Sequence, residues 1–473
     1  MGSGDADPLR LPDDVLDWIA EETGGEVAAA NRVPGGASRE AWFVDVLEPD
    51  GTTRELFLRY SRRPTPPGGA FLDLRTEAAI FAALQDTDVT VPRMLGVHPV
   101  HEAMLAERAP GQTWFRLIRD PDEQVQVAQD FIRNLAALHR LDPSTLPLPE
   151  RLLPVRTNRE HALAEIVEMR RRATDERGMI EPLVRIALDW LERNVPDDDA
   201  PVVLVQGDTG PGNFLYHEGR VTAVLDWELA HLGDPMDDIA WLSLRTVQDT
   251  FTHFPDRLHE YEQLSGHHVD PERVWYYRLF AETRLATARP AADDDDTEAG
   301  GREGDAQPVA GDIGNGLIYG MLHRRLTMEA LVHVTGIEPT RLDVSRECEA
   351  ESTEWHQQYD RVLGSLQVIV PRIADPLANQ WAKGVARMVK YLQEADRYGR
   401  PFDRAELADI AALLGHRPAS LDEGRRLLAD AANGGHVTDD DYLRYAWRRL
   451  QRDDFLLRNA SGALATRTWP PIR

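Results

Sequence analysis

Residues 203–235 read VLVQGDTGPGNFLYHEGRVTAVLDWELAHLGDP. One apolar run leads to Asp208, four residues separate Asp208 from Asn213, and a second apolar run leads to Asp226. The Glu-Gly pair at 218–219 is typical of the turn of a hairpin. The pattern therefore predicts a strand, a loop and a hairpin, with three polar side chains placed where the strands end.

The spacing of these side chains points to a particular chemistry. Asp208 and Asn213 have the D-x-x-x-x-N spacing of a protein-kinase catalytic loop, and Asp226 stands where a kinase has its metal-binding Asp. In that arrangement one carboxylate accepts or orients the proton of an attacking hydroxyl. The amide oxygen and the second carboxylate hold Mg²⁺ against a triphosphate. Taken singly, each of these residues could merely shape a turn.

Further parts of such a site precede this stretch in the expected order. Gly35 and Gly36, in PGGASRE, let backbone N–H groups approach phosphate oxygens, and Ser38 adds a hydroxyl. Arg59 ends the third predicted strand, in LFLRY, and Glu77 lies early in the helix that follows. We expect Glu77 to hold Arg59 against the α- and β-phosphates of a nucleotide.

Hydrophobic periodicity predicts three parts along the chain. Residues 1–110 contain five strand-like runs with one helix inserted after the third, which is a small α+β lobe. Residues 111–345 are mainly helical and contain the hairpin, and residues 346–473 form a separate all-α domain. Apolar stripes over 355–366 and 381–392 predict two helices of this last domain packed stripe against stripe.

The combination of these motifs resembles the aminoglycoside phosphotransferase family of kinase-like enzymes. The stretches that carry the resemblance are GGASRE, FLRY, TEAAIFAAL, LAERAPG, LAALHRLD, QGDTGPGNFL and VLDWELAHLGDPMDDIAWL. They span residues 25–335, about two thirds of the chain, and are most specific over 206–241. Within the family the chain is most similar to the branch of kinase-like domains associated with acyl-CoA dehydrogenases.

The resemblance implies a two-lobed, protein-kinase-like α+β fold with a five-stranded N-terminal lobe and a mainly helical C-terminal lobe. It implies that Asp208 is the catalytic base and that Asn213 and Asp226 bind Mg²⁺. It also implies that LAERAPG is the hinge between the lobes, where the backbone of Glu107 and Ala109 binds the adenine edge of ATP.

Two residues depart from the family pattern. Gln206 stands where the family usually has a His before Gly-Asp, a residue that shapes the loop rather than reacts. Arg59 replaces the usual lysine of the third strand, which keeps the charge but reaches a phosphate differently.

Composition narrows the classes of partner. The formal net charge of −27 disfavours nucleic acid and membrane surfaces as partners, because both are anionic. The single cysteine, Cys348, suits a reducing cytoplasm, and no apolar run is long enough to cross a membrane.

The sequence thus predicts an ATP- and Mg²⁺-dependent kinase that phosphorylates a hydroxyl of a small molecule, with a hydroxylated metabolite or hydroxyacyl thioester as the favoured acceptor. The alternatives are an aminoglycoside as acceptor, or a nucleotide-binding pseudokinase-like scaffold. An anionic thioester would need arginines, and EMRRRATDER at 168–177 supplies a cluster of them. The favoured interpretation of this cluster is nevertheless a solvated, ion-paired face of a helix.

Overall fold

The computed structural model describes residues 10–33, 39–62, 64–66, 68–197, 200–288, 313–351 and 353–473. The predicted phosphate-contacting residues Gly35, Gly36 and Ser38 lie outside the described residues. The chain divides into two compact units, one made of residues 1–162, 196–277 and 469–473 and the other of residues 163–195 and 278–468. The three-part division at residues 110 and 345 stays a prediction.

The described residues form nine strands: β1 Glu26–Val33, β2 Glu40–Leu47, β3 Thr53–Ser61, β4 Met94–Val97, β5 Glu102–Glu107, β6 Val203–Val205, β7 Phe214–His217, β8 Arg220–Val224 and β9 His231–Gly233. They form fourteen α-helices: α1 Asp13–Thr23, α2 Leu74–Leu84, α3 Pro121–Arg140, α4 Asn158–Ala173, α5 Pro182–Arg193, α6 Pro235–Gln248, α7 Phe254–Ser265, α8 Pro271–Ala288, α9 Ile313–Thr335, α10 Val344–Glu347, α11 His356–Ile369, α12 Pro376–Leu414, α13 Leu421–Asn433 and α14 Asp439–Ser461.

Strands β1 to β5 form one antiparallel sheet in the order β1-β2-β3-β5-β4, and α2 is inserted between β3 and β4. Every second side chain of β2 and β3 points into a core, where Trp42, Val44, Leu56 and Leu58 are fully buried. This alternation is the period of two that a half-buried strand requires. The predicted five-stranded lobe with one inserted helix is confirmed.

The sheet and α2 together position the first pair of site residues. Arg59 on β3 is flanked by Ala41 on β2 and Met104 on β5. Asp73 caps α2 by accepting the N–H of Thr76 at 2.7 Å, and this cap fixes the first turn of the helix, which contains Glu77. Glu77 is buried against the sheet as a result.

The segment that carries Asp208, Asn213 and Asp226 is built on α3 and two short antiparallel pairs, β6 with β9 and β7 with β8. Phe131 of α3 stacks on Phe214 of β7 with 4.5 Å between ring centroids. Asp130 of α3 accepts the N–H of Val221 on β8 at 2.8 Å. The hairpin turns at residues 218–219, as the sequence predicts, with both residues at positive φ.

The described part of the second unit consists of helices packed around α12, a helix of 39 residues. Ile318 of α9 and Leu457 of α14 form a small buried cluster. Arg452 of α14 pairs with Glu347 at 2.6 Å and with Asp409 of α12 at 2.8 Å.

The predicted packing of stripe against stripe in this unit is only partly correct. Helices α11 and α12 are in contact. The exposed fractions of four stripe residues are nevertheless large, at 61% for Trp355, 44% for Val362, 42% for Val385 and 41% for Leu392. The reason is that the buried face of α12 contacts helices other than α11. On α12, Gly384 lies so close to α9 that a Cβ added to Gly314 of α9 would be 2.2 Å from the carbonyl oxygen of Gly384. Glu394, also on α12, accepts a hydrogen bond from Asn459 of α14 at 2.7 Å.

The architecture is the expected α+β kinase-like fold with additional helices towards the carboxyl terminus. Among the helices that the structure describes, none combines the length and the hydropathy that crossing a bilayer demands.

Candidate active site

The loop after β6 carries Asp208 and leaves the strand through a glycine that the fold requires. Gly207 has φ +84°, and a Cβ at this position would lie 2.3 Å from the carbonyl oxygen of Leu229. Only glycine combines this backbone conformation with such a close approach. Asp208 follows directly, and its side chain is 14% exposed.

Asp238 on α6 holds the backbone of this loop. Its Oδ2 accepts the N–H of Gln206 at 2.9 Å, and its Oδ1 accepts the N–H of Gly207 at 2.9 Å and the hydroxyl of Thr209. The Nε2 atom of His139 lies 3.0 Å from Oδ2. The carboxylate is fully buried, so these contacts replace its water shell.

Asp234, Asp237 and Asp238 lie around Pro235, the first residue of α6, where acidic side chains commonly cap and anchor a helix. Asp234 does cap α6, accepting the N–H of Met236 at 2.8 Å. Asp237 contacts His231 at 2.9 Å, and Asp238 holds the loop instead of the helix end. Sequence spacing alone could not show this, because the loop and Asp238 meet only through the pairing of β6 with β9.

Gln206 replaces the usual His, and both the nitrogen and the oxygen of its side-chain amide form hydrogen bonds. Its Nε2 donates to the carbonyl oxygens of Leu225 at 2.8 Å and Asp226 at 2.6 Å. Its Oε1 accepts the N–H of Asp208 at 3.0 Å and the hydroxyl of Thr209 at 2.9 Å. A neutral imidazole has only one N–H, so glutamine is better suited to bridging two carbonyls. The residue links the Asp208 loop to the segment that carries Asp226.

Asn213 lies between the two aspartates. Its Nδ2 donates to the backbone oxygen of Asp208 at 2.8 Å and to Oδ2 of Asp208 at 2.6 Å. Its own carbonyl oxygen accepts the N–H of Leu225, the residue before Asp226, at 2.8 Å. The structure therefore brings Asp208, Asn213 and Asp226 together, as the sequence predicts.

Asp226 has a backbone conformation that is costly for a residue with a Cβ. Its φ is +61°, in the left-handed region, and such conformations are concentrated at functional sites. Its Oδ1 accepts from Nη1 of Arg59 at 3.0 Å, and its side chain is 26% exposed. The conformation turns the chain sharply after β8.

The predicted pair of Arg59 and Glu77 forms, with 2.6 Å between Nη1 and Oε1. A second arginine, Arg39, was not predicted as part of the site. It contacts the other oxygen of Glu77 at 2.8 Å, and its side chain is almost fully buried. Arg39 stands in GGASRE, where a lone arginine at the start of a strand looks like an ordinary surface charge. Burial raises the pKa of Glu77, while the two arginines act to lower it.

Glu228 is the third carboxylate near Arg59, at 3.7 Å from Nη2, and it also lies 3.6 Å from Arg39. Burial, followed by the charge of Asp226, raises the pKa of Glu228 to about 7. With Glu102, which lies 3.5 Å from Arg39, four carboxylates face two guanidinium groups, so the cluster has a surplus of negative charge when all four are ionised.

The donor atoms fit a hard cation such as Mg²⁺. Among the described residues no three His, Cys, Asp or Glu side chains form a metal-binding group. The nitrogen of Asn213 donates to Asp208, which leaves its amide oxygen for a metal ion, and Asp226 offers Oδ2 beside the Oδ1 that accepts from Arg59. Few protein oxygens together with substrate phosphates are the usual Mg²⁺ environment in kinase sites.

The hinge residues lie at the end of β5. The N–H of Glu107 donates to the carbonyl oxygen of Arg93 at 2.8 Å, so this N–H is already used within the sheet. Arg108 donates its N–H to Glu55 at 3.2 Å, and Ala109 follows beyond the sheet. Gly111 has φ +122°, which lets the next segment pair with β7.

Arg245 contacts Asp208 directly, which the sequence gave no reason to expect. Its Nε donates to Oδ1 at 2.6 Å and its Nη2 donates to Oδ2. Burial raises the pKa of Asp208 above its ordinary value, whereas Arg245 acts to lower it. No sequence motif marks Arg245, because it lies 37 residues from Asp208 on another element.

The arginine cluster at 168–177 is an ion-paired face. Arg170 contacts Asp189 at 3.0 Å, Arg171 contacts Glu168 at 2.8 Å and Arg172 contacts Glu165 at 2.9 Å. The second of the two interpretations of this cluster is therefore correct.

Comparison with known proteins defines the class. The model of the Phosphotransferase enzyme family, APH, matches residues 29–275, just over half of the chain. Acyl-CoA dehydrogenase family member 11 of Rattus norvegicus is 33% identical over 126 residues, which are 26% of this chain and 16% of that protein. The Homo sapiens protein of the same name is 43% identical over 65 residues, 13% of this chain and 8% of that protein. The matches thus span less than a fifth of these relatives.

A solved structure of macrolide 2'-phosphotransferase from Brachybacterium faecium is 22% identical, with a TM-score of 0.44, and the match covers 63% of this chain and 100% of that one. This chain belongs to the Phosphotransferase enzyme family.

The contacts of Gln206 predict a large loss of stability when its amide is removed. Gln206→Leu leaves two carbonyl oxygens and the N–H of Asp208 without this partner. A fully buried group would cost about 1–3 kcal/mol, and because these three groups are only partly buried, water offsets part of that cost. We expect the free energy of unfolding, measured in urea, to fall by roughly 2–4 kcal/mol. Gln129→Leu, which removes a single partly buried hydrogen bond to Glu260, is the control and should cost about 1 kcal/mol or less. Equal losses in the two variants would show that Gln206 does not link the two segments.

Proposed function

We propose that this protein transfers the γ-phosphoryl group of ATP, with Mg²⁺, to a hydroxyl of a small molecule. The observation that supports this best is the placement of Asn213. Its amide contacts the Asp208 carboxylate, and its backbone accepts from the residue before Asp226. A base and two metal ligands are thereby held by one short network, which is the arrangement that phosphoryl transfer needs.

In the proposed reaction the acceptor oxygen forms a bond to the γ-phosphorus as the bond to the bridging β–γ oxygen breaks. The electron pair of the broken bond leaves with ADP. The proton of the acceptor hydroxyl passes to the Asp208 carboxylate, and its raised pKa makes it a better proton acceptor than an exposed aspartate. Positioning and charge stabilisation supply most of the rate.

The nucleotide would contact residues from both sides of the site. Arg59, oriented by Glu77, would donate to the α- and β-phosphates, and the backbone at Gly35, Gly36 and Ser38 would cover them. The carbonyl of Glu107 and the N–H of Ala109 would bind the adenine edge. Mg²⁺, held by Asn213 and Asp226, would neutralise charge on the phosphates.

We favour a neutral or anionic acceptor, such as a hydroxylated metabolite or a hydroxyacyl thioester, over an aminoglycoside. Arg245 pairs with Asp208, where the acceptor hydroxyl must arrive, so this carboxylate is less available to the ammonium groups of a polycation. The curated relatives named above are acyl-CoA dehydrogenase family members, which accords with a thioester. The net charge of −27 is spread over the whole chain and bears on solubility more than on this contact.

Removing the proposed base should separate binding from turnover. Asp208→Asn keeps the size of the side chain but cannot accept a proton as a carboxylate does. We expect Mg·ATP affinity, measured by calorimetry, to change by less than about threefold, while ADP release falls by roughly 10²–10⁴-fold. Retained turnover in this variant would remove Asp208 from the role of base.

Removing either proposed metal ligand should affect binding instead. Asn213→Ala and Asp226→Ala each delete one of few oxygen ligands, so we expect Mg²⁺-dependent nucleotide binding to be lost in calorimetric titrations. Asp122→Ala, which deletes an exposed carboxylate at the start of α3, serves as the control and should bind normally. Unchanged Mg·ATP affinity in both site variants would refute the assignment.

The acceptor preference can be measured with a coupled assay of ADP release over two sets of compounds. We expect kanamycin-like polyamines to be poor acceptors, and neutral hydroxylated metabolites or hydroxyacyl thioesters to give kcat/KM values at least about tenfold higher. Efficient turnover of an aminoglycoside would contradict this preference, while leaving the kinase reaction itself in place.

A further inference from the structure

Helix α6 contacts the catalytic loop at two points that lie seven residues, or about two turns, apart. Asp238, in its first turn, holds the backbone of residues 206–209, as described above. Arg245, near its end, holds the side chain of Asp208 through Nε and Nη2. One rigid helix thus fixes both the loop and the carboxylate that the loop presents.

The contacts of Arg245 decide which oxygen of Asp208 can meet an acceptor. A carboxylate has about four lone-pair directions, two on each oxygen. Oδ2 accepts from Arg245 and from Asn213, so both of its directions are used. Oδ1 accepts from Nε of Arg245 at 2.6 Å, which leaves one direction free of contacts with the described residues. An acceptor hydroxyl therefore has one place to bind, at Oδ1.

The loop sequence makes room for this guanidinium. Gly210 has φ +139°, and a Cβ there would lie 2.6 Å from the Cβ of Arg245. At Gly212, a Cβ would lie 3.7 Å from Nη1 of Arg245. Gln248, one turn further along α6, accepts from Nη1 at 3.1 Å and orients the group. Gly210 thus accommodates the stem of Arg245, while the 3.7 Å at Gly212 is an ordinary van der Waals distance.

We propose that Arg245 is a positioning residue of the phosphotransfer reaction, which holds Asp208 so that Oδ1 alone receives the acceptor hydroxyl. This inference rests on the proposed function, because it assigns Arg245 to the same site. Arginine suits the role because its planar fork contacts both carboxylate oxygens at once, whereas a lysine contacts one.

The test compares Arg245→Met and Arg245→Lys with a matched control, using Mg·ATP with water as acceptor and ADP release as the readout. Arg257→Met is the control, because Arg257 is equally part of the first unit, is 6% exposed and pairs with Glu260 at 3.0 Å on α7. We expect Arg245→Met to lower kcat by about 10²-fold, since a misplaced catalytic group has a cost of that order. The KM for ATP should stay within about twofold.

Rescue distinguishes positioning from a general loss of structure. Methylguanidinium added to Arg245→Ala should restore part of kcat, and methylammonium should restore less, because only the former donates to both oxygens. Arg245→Lys should lie between the wild type and Arg245→Met.

Three results would overturn the assignment of Arg245 as a positioning residue. The first is a kcat of Arg245→Met within about twofold of the wild type, and the second is a kcat loss in Arg257→Met as large as that in Arg245→Met. The third is a fully active Arg245→Lys, which would overturn the assignment even if Arg245→Met fails to fold. A wild-type protein that neither hydrolyses ATP nor phosphorylates any acceptor contradicts the proposed function, and the role of Arg245 falls with it.

Discussion

The buried carboxylate of Asp238 is the contact on which the candidate site depends. It receives two backbone N–H groups and a hydroxyl from residues 206–209, and it also contacts His139. A buried carboxylate without such partners would be very unfavourable, so the loop and the charge stabilise each other. The same loop contains Gly207 with its positive φ, the bridging amide of Gln206 and the backbone from which Asp208 extends.

A second constraint is the balance of charge around Arg59. Glu77, Asp226 and Glu228 face Arg59 and Arg39, and burial together with the charge of Asp226 raises the pKa of Glu228 to about 7. Carboxylates in excess of guanidinium groups favour a further cation. The cluster is accordingly better suited to a metal ion with its phosphates than to a closed structural ion pair, for which two charges would suffice.

Much of this could be predicted from the sequence, because the informative signals are local. Alternation along β2 and β3, the Asp-x-x-x-x-Asn spacing and the order of Arg59 before Glu77 identified the sheet, the loop and one ion pair. Arg39, Asp238 and Arg245 could not be found in the same way. Each contacts a partner that lies 29 to 38 residues away along the chain. A single sequence does not show which residues so far apart come into contact in the fold. The prediction that the apolar stripes of α11 and α12 pack together was only partly correct for a related reason. Periodicity shows that a helix has an apolar face, but it does not show which neighbouring helix covers that face.

In the proposed reaction Asp208 is the base, and Asn213 and Asp226 hold the metal of one phosphotransfer site. A crystal structure with Mg²⁺ and a non-hydrolysable ATP analogue would show this division directly. We expect the metal at about 2.0–2.1 Å from one oxygen of Asn213 and one of Asp226, with Asp208 unligated and still held by Arg245. A metal bound through Asp208, or a nucleotide bound away from Arg59 and Asp226, would contradict it.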